Sequence, residues 1–405
     1  MTKTVAIVGT LDTKGADFQF LRDEIVRRGC GVQVIDVGVV GEPAFEPDVP
    51  RTEVAAAAGV DLGALQEAGD RGEAVAAMAR GIPLVVRRLF DEGRIHGVIS
   101  MGGGAGTLLG SSAMRALPVG VPKVLVSTVA SGDVAAYVGM SDIAMIHSVV
   151  DVAGVNSISR KVYGNAAGAI AGMVAHETAA GEDKPIIAAS MFGNTTRAVN
   201  QAKAQLEAQG YEVLVFHATG AGGRTMEALI DDGHVTAVLD MTTTEWADEL
   251  CGGVLSAGPH RLEAAARAGI PQVVVPGCID MCNFWAPDTV PEKYRDRTFY
   301  KWNPNVTLMR TTPEENARLG EIFAEKLNAA TGPVAVYVPV KGFSEVDLEG
   351  KPFHLPEANE AFVGALRANL KPGIDIVEMD VDINDPQFSS ATVAALLEMV
   401  AQKGA

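Results

Sequence analysis

An α/β fold of two Rossmann-like, parallel-sheet domains of similar plan, facing a central cleft, is the architecture this sequence predicts. Three observations predict it: strand-loop-helix units recur along the chain, glycine-rich turns follow the apolar runs, and the second half repeats segments of the first. Strands that alternate with helices imply parallel sheets covered on both faces, with ligands outside the carboxyl ends of the strands.

The first unit begins with Thr4-Val5-Ala6-Ile7-Val8, an apolar run of strand length. GTLDTKG at 9–15 follows, then Phe18, Leu21, Ile25 and Val26 at helical spacing. A loop that opens a helix presents unpaired N–H groups and the positive end of the helix dipole, which together hold an anion. Here Gly9 and Gly15 permit close backbone approach. Lys14 can reach a phosphate, and the hydroxyls of Thr10 and Thr13 can donate to it; alternatively, Asp12 or Thr13 caps the helix. The next strand, Val32-Gln33-Val34-Ile35, ends in Asp36, an acid that can accept hydrogen bonds from ribose hydroxyls.

The same logic returns at SMGGGAGT, 100–107. Gly97-Val98-Ile99-Ser100 reads as a buried strand, Gly102, Gly103, Gly104 and Gly106 form the loop, and Thr107 caps the helix after it. Thr128, Ser131 and Asp133 add hydroxyls and an acid after the next strand. Neither loop is a Walker A sequence and neither reads GxGxxG in register, so the loops alone do not name a nucleotide family.

A net charge of −17 argues against a nucleic-acid backbone or an anionic membrane surface as the main partner, so any anion must be bound locally. Cys30, Cys251, Cys278 and Cys282 have no CxxC spacing and are too few for a disulfide framework, which fits a reducing cytoplasm. The N-terminus enters a strand directly and no apolar run approaches membrane-spanning length, so a soluble, unexported protein is expected. The histidines show no HxH or HExxH spacing, which predicts no protein-built metal site. Mg²⁺ carried in by a nucleotide is the expected metal.

Gly181-Glu182-Asp183-Lys184-Pro185 is the expected boundary between a nucleotide-binding domain at 1–180 and a second domain at 185–405. The second domain repeats the plan: Ile186 to Met191 is a strand, Phe192-Gly193-Asn194-Thr195-Thr196 its loop, and Tyr211 to Phe216 the next strand. GVISM at 97–101 matches AVLDM at 237–241, and VPKVLVST at 121–128 matches IPQVVVPG at 270–277, which points to internal duplication. Thr242-Thr243-Thr244-Glu245 closes the third strand of this half. Glu245 is the leading general-base candidate, with a helix-capping acid as the alternative. Cys278 is a candidate nucleophile that Asp280 could orient, with inert buried thiols as the alternative. Asn194, Thr195, Thr196 and Thr243 are expected to bind a small polar ligand, and Arg310 and Lys341 make that ligand acidic. Thr312, Pro313 and Glu315 specify a helix start. Strands at Val334–Val338 and Ile374–Met379 and helices near 357–369 and 390–402 complete the domain.

GTLDTKG, SMGGGAGT, the block YVGMSDIAMIHSVVDVAGVNSISRKVYGNAAGAIAGM at 137–173, FGNTT, VTLMRTTPEEN and PVKGFSEVD together carry a resemblance over nearly the whole chain. The chain resembles the Tm-one-like ATP-binding family. That resemblance implies an ATP-binding region of two Rossmann-like subdomains, joined in plants to a TIM-barrel-like domain. Because this chain ends at Ala405 without such a domain, the resemblance implies a stand-alone member acting with a separately encoded barrel protein. The expectation is therefore a cytoplasmic, homo-oligomeric protein that binds ATP with Mg²⁺. It would be a nucleotide-dependent enzyme or a nucleotide-gated protein acting on a small acidic metabolite in the cleft. The alternatives are a hydrolase, lyase or isomerase that needs no ATP, and a non-catalytic regulatory module.

Overall fold

The structure, a computed structural model, describes residues 2–176, 181 and 183–404. Its contacts divide the chain into Met1–Ala180 and Gly181–Ala405. Glu182 of the expected boundary segment lies outside the described residues.

The first unit runs β1 (Thr4–Gly9), α1 (Leu11–Arg27), β2 (Gly31–Asp36), α2 (Arg51–Ala57), α3 (Leu62–Ala68), α4 (Arg71–Asp91), β3 (Gly97–Gly102), α5 (Gly104–Arg115), β4 (Lys123–Ser127), α6 (Ala135–Val138), β5 (Ala144–His147) and α7 (Ser159–Ala175). Its sheet has the order β2-β1-β3-β4-β5, with every pairing parallel. Side chains alternate along a strand, so β1 feeds two cores. Val5 and Ile7 pack with Phe18, Leu21 and Ile25 of α1 and Ile170 of α7. Ala6 and Val8 face Met78, Ile82 and Val86 of α4 and Leu109 of α5. Burial on both faces explains why these strands read as continuous apolar runs.

The second unit runs β6 (Ile186–Met191), α8 (Thr196–Ala208), β7 (Glu212–His217), α9 (Ala221–Asp231), β8 (Ala237–Asp240), α10 (Glu245–Cys251), α11 (Ala264–Ala268), β9 (Gln272–Val274), β10 (Met281–Phe284), β11 (Phe299–Asn303), β12 (Val306–Arg310), α12 (Pro313–Asn328), β13 (Val334–Pro339), α13 (Pro356–Asn369), β14 (Asp375–Met379) and α14 (Pro386–Gly404). The parallel sheet β7-β6-β8-β9-β13-β14 follows the order of the first sheet and adds one strand. GVISM and AVLDM fall at corresponding strands, β3 and β8, as do the segments around β4 and β9. An antiparallel sheet, β10-β12-β11, is an addition to this plan. The helix start at Thr312 is a capping box, with Thr312 accepting from the Glu315 N–H and Glu315 from the Thr312 N–H. No described helix is long and apolar enough to cross a membrane.

Candidate functional site

In the first sheet the chain leaves β1 toward β2 on one side and, after α4, returns to β3 on the other. The loops after β1 and β3 therefore diverge, and a crevice opens between them at the carboxyl edge of the sheet. A cavity of about 600 Å³ lies at this point. Its lining includes Thr10, Asp12, Thr13 and Lys14 from the β1–α1 turn, and Gly103, Gly104 and Gly106 from the start of α5. Sequence reasoning singled out these seven, and the fold brings them together.

The anion-binding character resides mainly in α5. Its N-cap is Gly103, with no side chain capping the first turn. Gly104, Ala105 and Gly106 carry the N–H groups that a helix cannot satisfy internally, and among the described residues these have no accepting partner. Three donors and the positive end of a helix dipole thus face the cavity.

Packing accounts for some of the glycines and not for others. A Cβ on Gly102 would stand 2.8 Å from the Gly106 Cα, and one on Gly106 would stand 3.2 Å from the Met101 carbonyl oxygen. A Cβ on Gly9 would meet the Phe18 ring at 2.4 Å, and one on Gly15 the Ala44 Cβ at 2.2 Å. These four serve close contacts inside the fold. Gly9 and Gly15 are not in the cavity lining, so for these two packing replaces the reading of approach to a phosphate. At Gly103 and Gly104 a Cβ would meet nothing nearer than 3.7 and 3.9 Å. The fold has room for a side chain there, so packing does not explain glycine at either place.

The β1–α1 turn holds its own loop in shape. Asp12 Oδ2 accepts from the N–H groups of Val40 (2.8 Å) and Gly41 (3.3 Å), and Thr13 Oγ1 donates to Thr10 Oγ1 at 3.1 Å. Lys14 departs from helical geometry at φ −132°, ψ 25°, and its Nζ donates to the Val152 carbonyl.

Asp36 is fully buried, and its Oδ1 accepts from Leu11 N–H (3.1 Å) and Gly38 N–H (2.9 Å). It caps the start of α1 from within the fold, which corrects the ribose role. Burial raises its pKa against the pull of those two hydrogen bonds. Thr107 lies within α5 and its Oγ1 pairs with Ser127 Oγ at 2.6 Å, so it is no cap. Thr128 backs the loop, with Oγ1 3.7 Å from where a Gly103 Cβ would be.

The rest of the cavity wall was not visible in sequence reasoning. Val37, Val39 and Val40 follow β2, Leu65 and Gln66 lie on α3, and Arg71, Ala74 and Val75 open α4. Gln66 Nε2 holds the Val39 carbonyl at 2.9 Å. Asp70 and Glu73, an acidic cap and an acid at N3, were the available signal that a helix begins here.

The candidate residues of the second half are mostly occupied by their own fold. Glu245 is 1% exposed; its Oε1 accepts from Gly220 N–H (2.7 Å) and Gly223 N–H (3.0 Å), and its Oε2 from Arg261 Nε (2.8 Å). It neutralises the start of α9 and joins Asp240 and Glu227 around the buried Arg261 guanidinium. Burial raises its pKa while Arg261 lowers it. Both oxygens are engaged and the group is 1% exposed, so the general-base role is replaced by a structural one.

Cys278 is fully buried and desolvation raises its pKa well above the ordinary thiol value, which removes the thiolate a nucleophile needs. Asp280 accepts from Ser344 Oγ at 2.7 Å, and burial together with neighbouring Asp347 pushes its carboxyl up to about 7. Arg310 is 4% exposed and donates to the carbonyls of Phe353 and Leu355, to Asp347 Oδ1 and to Asn359 Oδ1. It cannot also clamp a ligand.

Asn194, Thr195 and Thr243 are fully buried. Thr195 Oγ1 pairs with Thr242 Oγ1 at 2.7 Å, Thr243 donates to the Val275 carbonyl at 2.9 Å, and Thr196 to the Phe192 carbonyl at 3.1 Å. Asn194 packs its amide against the Met281 sulfur. Lys341 is exposed and pairs with Asp380 at 3.1 Å, while the buried Arg310 pairs with Asp347. Among the described residues no three His, Cys, Asp or Glu side chains converge on a metal position.

Residues 3–179 match the model of the uncharacterised protein family (UPF0261) N-terminal domain, and 184–400 match the C-terminal domain of the same family. A UPF0261 protein of Clostridium tetani is 51% identical over 402 residues, covering 99% of this chain and all of its own. One from Mesorhizobium japonicum is 45% identical, with 98% and 99% covered. The ToMV resistance protein Tm-1(GCR237) of Solanum lycopersicum is 38% identical over 98% of this chain, which spans 55% of the tomato protein. A UDP-N-acetylglucosamine 2-epimerase from Rickettsia bellii superposes with a TM-score of 0.23 at 9% identity, too loosely to carry an argument.

Proposed function

The chain belongs to the uncharacterised UPF0261 family, and from that premise and the cavity of its first unit we propose that it binds ATP or a related nucleotide at the start of α5. The observation that carries the proposal is the pairing of three unpartnered N–H groups at Gly104, Ala105 and Gly106 with glycines at 103 and 104 that packing does not require. A phosphoryl group approaching those donors closely accounts for both.

The remaining wall suits a nucleoside. Val37, Val39, Val40, Leu65, Val75 and Leu109 give an apolar surface for a base, and a cavity of about 600 Å³ falls within the range of small-molecule sites. Mg²⁺ keeps several waters and is held by phosphates with one or two carboxylates. Asp70 and Asp151 both line the cavity and are exposed, and because Asp70 caps α4 through the Gly72 and Glu73 N–H groups, Asp151 is the acid better suited to that role.

A nucleotide-gated protein is favoured over one whose second half performs acid-base or thiol chemistry, because Glu245 and Asp280 are buried and hydrogen-bonded within the fold and Cys278 is buried with its pKa raised. The test is calorimetric titration of the full chain with Mg·ATP, beside a Gly104→Val variant of confirmed fold. Saturable binding that the variant loses supports the proposal. Absence of binding by the wild type sinks it and turns the search to acidic metabolites.

A further inference from the structure

Resting on the nucleotide reading above, we infer that Arg71 is a second phosphate contact. The cavity would then select nucleoside di- and triphosphates over monophosphates. α4 is the last helix of the connection from β2 to β3 and leads into β3, and α5 joins β3 to β4, all parallel strands of one sheet. Helices that connect parallel strands run back against them, so α4 and α5 both begin at the carboxyl edge. The two helices pack side by side, sharing Met78, Ile82, Leu109 and Ala113 in one core. Arg71, the first residue of α4, and Gly104, the first of α5, thus stand at the same end of adjacent helices, and both line the cavity.

The donor inventory then separates the cations. Three N–H groups at α5 suffice for one phosphoryl group. Lys14 already gives one donor to the Val152 carbonyl. Among the described residues the Arg71 guanidinium has no accepting partner, and the residue is exposed and lines the cavity. A planar fork of donors suits a second phosphate, which a monophosphate does not supply. Ala74 and Val75 lie one turn further along α4, and Leu109 lies further along α5, so on these two helices the polar donors come first and the apolar lining follows. Asp70 caps α4 through the Gly72 and Glu73 N–H groups, so the helix start does not depend on the Arg71 side chain.

The test is calorimetry of the full-length wild type, Arg71→Met and Arg71→Lys with AMP, ADP and ATP, each with Mg²⁺ at one ionic strength. The wild type should prefer ADP and ATP over AMP by at least ~10-fold, the size of one charge-assisted contact. Arg71→Met should erase that preference while leaving AMP affinity within about twofold, and Arg71→Lys should retain part of it. Equal weakening of all three nucleotides, or no change in any, overturns the role of Arg71 and leaves nucleotide binding standing. A wild type that binds all three alike also overturns it. A wild type that binds none overturns both.

Discussion

Replacing Gly104 with alanine separates ligand binding from folding. A Cβ at this position meets nothing nearer than Tyr137 Oη at 3.9 Å, and the residue already lies in α5 with φ outside the left-handed region. The substitution therefore adds no clash and restricts the unfolded chain, a gain of about 0.4–1 kcal/mol. For a unit the size of Met1–Ala180 that raises the midpoint of its thermal transition by about 1–4 °C. The added methyl enters open space beside the N–H groups of Gly104, Ala105 and Gly106. It should weaken Mg·ATP by at least ~10-fold, the loss of one charge-assisted hydrogen bond. Gly102→Ala is the contrast: its Cβ falls 2.8 Å from the Gly106 Cα and the backbone must shift, at roughly 1–3 kcal/mol of stability. Differential scanning fluorimetry and calorimetric titration read both quantities. Wild-type affinity in Gly104→Ala would refute an anion at these donors, and a destabilisation like that of Gly102→Ala would refute the open space.

Glu245→Ala removes one carboxylate from Arg261 and frees the N–H groups of Gly220 and Gly223. It should lower the stability of the second unit by about 3 kcal/mol in urea unfolding and leave nucleotide affinity in the first unit unchanged. Burial pushes the Asp280 carboxyl from its ordinary 3.8 up to about 7 in the fold, so between those values the folded chain holds a proton that the unfolded chain has released. The stability this contributes is full below about pH 4 and is lost as pH rises toward 7. The urea midpoint of the second unit should thus be lower at pH 8 than at pH 5, and Asp280→Asn, which keeps the shape of the protonated acid, should narrow that difference. Because Cys278 is buried with its pKa raised, iodoacetamide at neutral pH should leave it unmodified in the native chain and alkylate it in urea, as peptide mass spectrometry would show.

The parallel sheets were legible because their strands are buried on both faces and stand out as apolar runs bounded by glycine, as in Thr4–Gly9 and Gly97–Gly102. The matched segments at β3 and β8 and at β4 and β9 pointed to the duplication, and the strand order that the two sheets share appears only in the fold. The antiparallel sheet was harder: Met281–Phe284 is four residues long and buried throughout, so no alternation marks it as a strand. In the site, the glycines near Gly104 were visible as a cluster. Which of them packing demands was not, since that depends on atoms such as the Phe18 ring and the Gly106 Cα. The second half misled for a related reason. A polar residue after a strand has the same composition whether it faces a ligand or a partner, and Glu245 meets Arg261 and the start of α9 only in three dimensions. Arg71 escaped notice because an exposed arginine at a helix start carries no signal of its own, and only the fold puts the start of α4 in the same cavity wall as the start of α5.

The most direct test of the central claim is a two-dimensional ¹H–¹⁵N spectrum of the full chain labelled at glycine, recorded during titration with Mg·ATP, with Gly104 assigned through the alanine variant. The nucleotide reading predicts large, saturable downfield shifts at the amides of Gly104 and Gly106, with small changes at Gly220 and Gly223, whose N–H groups Glu245 already occupies. Saturable shifts confined to glycines of the second unit, with Gly104 and Gly106 unmoved, would contradict it.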